Sequence, residues 1–302
     1  MSTAALLAFA FLGFSQGPSN PQSPGSSPQP PAFIPQPASL GAKLVTVFGQ
    51  NHARGLPSHL ATILLLDPET GALLALLDGR YITEARTAAV SAVSVQHLAR
   101  PDVGVLAILG TGVQGRSHLE AIRHVRRLTD VRVWSPTALH RDAFVVDMGT
   151  STGLPIRAVA TAAAATRDAD IIVCATASHT PVIDSTDVAD GAHIAAVGAC
   201  RPDQREMPTA LVARGRLYVD SHQAARKEAG DILIPQGEGA FGDEHILGEL
   251  GDLINGGIPG RLTPRDVTIF KSLGLAVEDV VAATMAVDRA TAAGLGHRFV
   301  LS

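Results

Sequence analysis

Cysteine is nearly missing from this sequence: 302 residues contain two, Cys174 and Cys200. No disulfide framework can organise the chain, and each thiol sits in an apolar run where it serves as a small hydrophobe, as suits a reducing cytoplasm. Aromatic residues make up only 4%, the net charge is −4, and no run of Lys and Arg occurs. The electrostatic footprint of a nucleic-acid binder and the polybasic patch of a membrane-surface protein are therefore both absent. Metal-ligand spacing is lacking too. Asp243-Glu244-His245 has no H-E-x-x-H context and reads as a solvated loop. Ser185, Ser221 and Ser272 lack a G-x-S-x-G elbow, which removes the case for a serine hydrolase. The expected partner is a small molecule.

Charge is missing altogether before Lys43. The apolar stretch Ala4 to Phe14 has the length of a signal-peptide core and is too short to span a bilayer, but no basic segment precedes it. The tract from Pro18 to Pro37 is rich in Pro, Ser and Gln. Such a composition buries too little apolar surface to offset chain entropy, so residues 1–40 are expected to be a disordered tail.

Beyond that tail the chain becomes regular. Lys43 to Phe48 alternates like a strand, and His59 to Leu66 with Ala72 to Asp78 forms a hairpin pattern about Asp67-Pro68-Glu69-Thr70-Gly71. A helix with a small-residue face is predicted over Tyr81 to Leu98. From Gly104 the rhythm is strand, helix, strand. Apolar runs suited to buried parallel strands lie at Val105–Leu109, Val131–Trp134, Ile156–Val159, Ile171–Ala175, Ile194–Val197 and Leu217–Val219. Helical patterns near Gly115 to Arg127, Leu139 to Met148, Ala160 to Arg167, Glu206 to Ala213 and His222 to Lys227 separate them. The predicted fold class is α/β, a Rossmann-type doubly wound parallel sheet over 101–269. A discontinuous α+β substrate and dimerisation lobe would take 41–100 and 270–302, closed by a last helix over Ala276 to Ala293. Glu278 and Asp279 at its start read as carboxylates favoured by the helix dipole.

Gly110-Thr111-Gly112-Val113-Gln114-Gly115 follows the first apolar run and opens a helix, the context in which G-x-G-x-x-G has a mechanism. Gly110 permits the tight turn, Gly112 lets the backbone approach a pyrophosphate, and Gly115 lets helix and strand pack closely. The phosphates meet unpaired N–H groups and the positive helix end. In NAD sites a carboxylate about 20 residues on takes the ribose hydroxyls. That count lands on Trp134-Ser135-Pro136-Thr137, which holds none. Ser135, Thr137 and Arg141 could instead meet a 2′-phosphate, which favours NADP(H) and leaves NAD(H) as the alternative; ordinary helix capping is the other role for Ser and Thr there.

Several blocks together resemble the ornithine cyclodeaminase and mu-crystallin family: Lys43-Leu-Val-Thr-Val-Phe, Leu56-Pro-Ser-His59, Leu77-Asp-Gly, Arg86-Thr-Ala-Ala, the Gly110 turn, Val219-Asp-Ser and Phe270-Lys-Ser-Leu-Gly274-Leu-Ala-Val-Glu-Asp279. The likeness covers residues 40 to 295 and implies a homodimer, with the active site in a cleft between the lobes. It places the lysine and arginine matching Lys43 and Arg86 at the substrate. Reduction of a cyclic ketimine needs a carboxylate clamp, which Arg supplies as a bidentate fork. It also needs a proton, which a desolvated Lys beside a cation can transfer. By the same likeness His59, Thr87, Thr176, Val197 and Ser272 lie against the cofactor. Two departures bear on activity. Where cyclodeaminases carry an Asp that handles the reacting amine, this sequence holds Cys200, with Asp203 three residues on; this argues against amine cyclisation and for imine reduction. The family's elements before the Lys43 block, including a further substrate-binding arginine, give way to the uncharged tract, so the lobe is expected to be incomplete. NAD(P)H-dependent reduction of a small amino- or imino-acid partner is thus the leading expectation. The others are an ornithine cyclodeaminase and a non-catalytic binder of cofactor or ligand.

Overall fold

A computed structural model describes residues 25–28, 32–35 and 38–299. The stretch Ala4 to Phe14 and most of the Pro/Ser tract, read above as a tail, lie outside the described residues. The chain divides into two compact units: Met1–Arg86 with Leu275–Ser302, and Thr87–Gly274.

The first unit is built on a five-stranded antiparallel sheet of β1 (Gly25–Pro28), β2 (Ala32–Pro35), β3 (Ala38–Val47), β4 (His59–Leu66) and β5 (Leu73–Asp78). β4 pairs with one side of β3, with Lys43 opposite Ile63, and β1 and β2 share the other side. Two strands therefore come from the Pro-rich tract, where an unstructured tail is expected. Proline fits extended backbone and is tolerated on a sheet edge, where a missing N–H costs no ladder bond. Ala32, only 8% exposed, joins the core of this unit. The β4–β5 turn is closed by the Asp67 carboxylate, which accepts the N–H groups of Glu69 and Thr70 at 2.9 and 2.8 Å.

Helix α1 (Gly79–Leu98) follows β5 directly, and the division between units falls within it, after Arg86 rather than near residue 100. The reason is packing: Ala92, Val95 and Leu98 are buried with residues of the second unit. That unit runs β6 (Val105–Leu109), α2 (Val113–Ile122), β7 (Asp130–Trp134), α3 (Ala138–Thr152), β8 (Ile156–Ala158), α4 (Ala162–Thr166), β9 (Ile171–Cys174), β10 (His193–Ala196), α5 (Thr209–Arg214), β11 (Arg216–Val219), α6 (His222–Glu228), α7 (Gly230–Gly237), β12 (Ile246–Glu249), α8 (Leu250–Ile254) and β13 (Thr268–Lys271). The eight strands form one parallel sheet in the order β12-β11-β13-β10-β9-β6-β7-β8. It is the doubly wound α/β sheet that the apolar runs predict, with β13 at the further strand-like run Val267 to Phe270 and one strand, β12, beyond the sequence reading. β12 escapes sequence reading because Ile246-Leu-Gly-Glu is short and not continuously apolar, and α7 because it carries Pro235. The last helix, α9 (Ala276–Ala292), belongs to the first unit and buries Val280 and Ala283 against Ile63, Leu65 and Leu77. Among the described residues no helix is long and apolar enough to cross a membrane.

A buried polar chain runs through the second unit. His118 of α2 bonds the Gln114 carbonyl at 2.7 Å and Ser91 Oγ at 2.9 Å, while His193 of β10 meets Ser94 Oγ at 3.1 Å and Thr268 Oγ1 at 2.9 Å. Burial pulls His118 down to about 4 and His193 to about 3, so both are neutral in the folded protein. An unfolded chain takes up these protons from pH 6.5 downward and the folded chain does not. Stability is therefore intact above pH 6.5 and falls as pH drops toward the folded values, by about 1.4 kcal/mol per histidine for each pH unit within its window. Urea midpoints should decline over that range, and His118→Gln should remove part of the slope; equal slopes in the two proteins would refute this account.

Candidate active site

The glycine turn stands where the strand order reverses, the site at which open α/β sheets bind ligands. Gly110 has φ 112°, a conformation that L side chains rarely adopt, and its N–H reaches the Trp134 carbonyl at 2.8 Å. A Cβ on Gly115 would lie 2.2 Å from the Gly110 carbonyl oxygen, so turn and helix touch. At Gly112 the same addition meets nothing within 4 Å. That open space, at the N-cap of α2 with no acidic residue in the first turn, suits a pyrophosphate. Val113 is 54% exposed beside it, and the Gln114 side-chain oxygen is buried with no hydrogen-bond partner, an acceptor left for a ligand. These residues fit a dinucleotide.

Thr176, Val197 and Ser272 stand just beyond the carboxyl ends of β9, β10 and β13, on the same edge of the sheet as the turn. Ser272 is 2% exposed and donates to Asp220 at 3.1 Å, and the same carboxylate oxygen accepts the N–H groups of Leu273 and Gly274 at 2.6 Å. The Ser272 hydroxyl thus shapes the β13 loop. At the end of β7, Ser135 donates to the Thr137 carbonyl and Arg141 donates to the Ser135 carbonyl. Thr137 is exposed at the N-cap of α3 and makes no side-chain capping bond.

In the first unit Lys43 and Arg86 come together in a buried ion cluster. Lys43 Nζ lies 2.7 Å from Asp279 Oδ2; Arg86 donates from Nε to Asp279 Oδ1 at 3.0 Å and from Nη1 to Glu278 Oε2 at 2.7 Å. Lys43 is 3% exposed and Arg86 8%. Burial, then the charge of Arg86, holds the Lys43 ammonium below its usual range, against the opposing pull of Asp279. A lysine in that balance can give and regain a proton. Glu278 and Asp279 do open α9, but their side chains are spent on Arg86 and Lys43 and not on the helix dipole alone. Sequence spacing hides this, because the partners are 192 and 193 residues apart.

Residues 30–294 match the model of the ornithine cyclodeaminase/mu-crystallin family. The chain belongs to this family. It is 40% identical over 250 residues to ketimine reductase mu-crystallin of Rattus norvegicus, covering 83% of this chain and 76% of the relative. It is 39% identical over 261 residues to a Delta(1)-pyrroline-2-carboxylate reductase of Bacillus cereus, covering 86% and 80%. Among solved structures, Delta(1)-pyrroline-2-carboxylate reductase of Thermococcus litoralis in complex with NADH and L-proline superposes with TM-score 0.86 at 35% identity, covering 91% of this chain and 90% of that one.

Other family-implied positions are placed less tellingly. His59 is exposed at the start of β4 beside Ser58, and Thr87, 8% exposed, follows Arg86 in α1. Cys200 lies in the loop after β10 with its thiol on the Val197 carbonyl at 3.3 Å. Asp203 is a surface residue, 69% exposed, whose carbonyl and carboxylate both face His179. It has no buried partner that would aim it at a reacting amine. Sequence reading also misses Glu206, Asp231 and Lys271, fully buried charges in the second unit. Only their sheet-edge neighbours, Thr176 and Ser272, hint at them.

Two variants separate architecture from binding. Gly112→Val projects into open space, so it should melt as the parent does and lose nicotinamide-cofactor affinity at least tenfold, about 1.4 kcal/mol, in calorimetry. Asp279→Asn removes the charge that Lys43 and Arg86 share, and should lower unfolding free energy by about 3–5 kcal/mol. Unchanged affinity in the first, or unchanged urea stability in the second, would contradict these assignments.

Proposed function

We propose that this chain reduces a small cyclic ketimine or imino carboxylate with a nicotinamide cofactor, and in reverse oxidises the corresponding L-amino acid. The observation that carries this reading is Lys43, a buried lysine with lowered proton affinity, paired to Asp279 and neighboured by Arg86. The relatives named above as ketimine and pyrroline-2-carboxylate reductases support it. Gly110, Gly112 and Gly115 would hold the cofactor, which would supply the hydride for the imine carbon. Lys43 gives a proton to the imine nitrogen and is left neutral, a state that its burial and Arg86 favour; Asp279 orients the ammonium and takes part in its recharging from water. A guanidinium has five N–H groups, so Arg86 can hold Glu278 and Asp279 and still offer donors to a substrate carboxylate. Lys43→Ala should abolish cofactor oxidation on addition of a cyclic ketimine carboxylate while leaving cofactor affinity within about twofold. Turnover at the parental rate would reject the role of Lys43.

The finer reading of the cofactor is NADP(H). No carboxylate stands at the end of β7 to claim a ribose hydroxyl, whereas Thr137 is exposed there and Arg141 is anchored on the Ser135 carbonyl. Arg141→Ala should reduce the preference for NADPH over NADH about tenfold, as expected for loss of one charge-assisted phosphate contact. An unchanged ratio of the two kcat/KM values would leave NAD(H) as the natural cofactor. The working form in this reading is a homodimer, a reading supported by the archaeal alanine dehydrogenase dimer that superposes with TM-score 0.83 at 28% identity. The two cysteines, neither in a disulfide, suit a reducing cytoplasm.

A further inference from the structure

The loops after β9 and β10 are held by a carboxylate that the proton and hydride steps above leave unused. Glu206 is fully buried. Its Oε1 accepts the N–H and the hydroxyl of Thr176 at 2.5 and 2.7 Å, and its Oε2 accepts the N–H groups of Gly198 and Ala199 at 2.8 and 3.2 Å. All four partners donate. An ionised carboxylate only accepts, so this set matches the charged form, whereas a protonated acid or an amide would turn a donor toward donors. The two loops are in close contact: a Cβ on Gly198 would lie 2.0 Å from the Thr176 carbonyl oxygen. Asp231 of α7 accepts the N–H groups of Glu206 and Met207 at 2.7 and 3.0 Å, and lies 3.3 Å from Lys271 Nζ of β13.

The strand order says what these loops face. The adenosine half of a dinucleotide is read at the end of the second strand, here β7, on one side of the glycine turn. The other half then lies over the ends of β9 and β10, on the opposite side of β6. We propose that Glu206 is a positioning residue for the nicotinamide half of the cofactor, fixing the Thr176 and Gly198–Ala199 backbones as the wall on which that half rests. The proposal depends on the nicotinamide-dependent reading above but not on Lys43 or the substrate.

Burial, then the charge of Asp231, pushes the Glu206 carboxyl up to about 7, against the pull of Lys271 and the Thr176 bonds. The other titratable groups about it are the Cys174 thiol of β9, itself raised by burial, and the Cys200 thiol next to Ala199, which donates to the Val197 carbonyl. As pH falls through about 7, Glu206 takes a proton and its donors lose an acceptor.

The test compares NADPH with 2′-phospho-ADP-ribose, which carries the same phosphates and lacks only the nicotinamide. Calorimetric Kd values for the purified protein are taken on both sides of neutral pH. NADPH should weaken at least about threefold more than 2′-phospho-ADP-ribose as pH falls, since only its nicotinamide end meets the wall. In Glu206→Gln, NADPH should bind about tenfold more weakly at high pH, the fragment within about twofold of its parental value, and the differential pH dependence should vanish. Parallel changes in both ligands, in pH or in the variant, would overturn the proposal, because a purely structural role affects both alike. If Glu206→Gln does not fold, the two pH curves of the parent protein decide the matter alone. Failure of both ligands, and of NADH as well, to bind the parent protein would overturn the dinucleotide reading itself, a result distinct from loss of NADPH alone.

Discussion

Buried carboxylates that must be satisfied set the geometry of the Lys43–Arg86 cluster and of the loops after β9, β10 and β13. A carboxylate out of water is tolerated only where cations or several N–H donors surround it, and removing those partners costs several kcal/mol. Asp279 meets that condition by joining Lys43 of β3 to Arg86 of α1, Asp220 by gathering the Ser272 hydroxyl and the N–H groups of Leu273 and Gly274, and Glu206 by gathering the loops after β9 and β10. Asp279 and Asp220 lie on different elements from the groups they fix, and Glu206, in the loop after β10, ties its own loop to the one after β9. The active residues are thereby tied to elements with their own cores, while the glycine turn is held by backbone contact between Gly110 and Gly115 and by the His118 bond to the Gln114 carbonyl.

Much of this was legible in the sequence where the signal is local. The glycine turn combines a conformation only glycine adopts readily with an apolar strand before it and a helix after it, and those features are adjacent along the chain. Lys43 and Arg86 were legible through resemblance, since nothing in a strand residue and a helix residue 43 positions apart announces a shared site. The ion partners were not legible. Glu278 and Asp279 have a sufficient local explanation as acids in the first turn of a helix, and a local explanation stops the search for a distant one.

The Pro-rich tract illustrates the opposite error. Composition reports what a segment can bury by itself, and Gly25–Pro28 and Ala32–Pro35 can bury little. What orders them is the free side of β3, ten residues long and paired with β4 on its other side. Such an edge accepts any extended segment whose prolines fall where no N–H is required. For these two segments the tail reading fails because the template lies later in the chain than the segments it orders.

The two buried lysines show how the same residue is fitted to opposite tasks. Burial lowers the proton affinity of both. Beside Lys43 a second cation, Arg86, adds to that effect, and the carboxylates are shared between the two bases, so the net direction is downward. Beside Lys271 the charges that matter are Asp231 and Glu206, both of which favour the ammonium, and the net direction is upward. A lysine of the first kind can part with its proton during turnover. One of the second kind keeps its charge, which helps Glu206 to remain an acceptor for four donors in a fully buried site. Neighbouring charge, and not burial, therefore separates the lysine suited to moving a proton from the lysine suited to holding a wall.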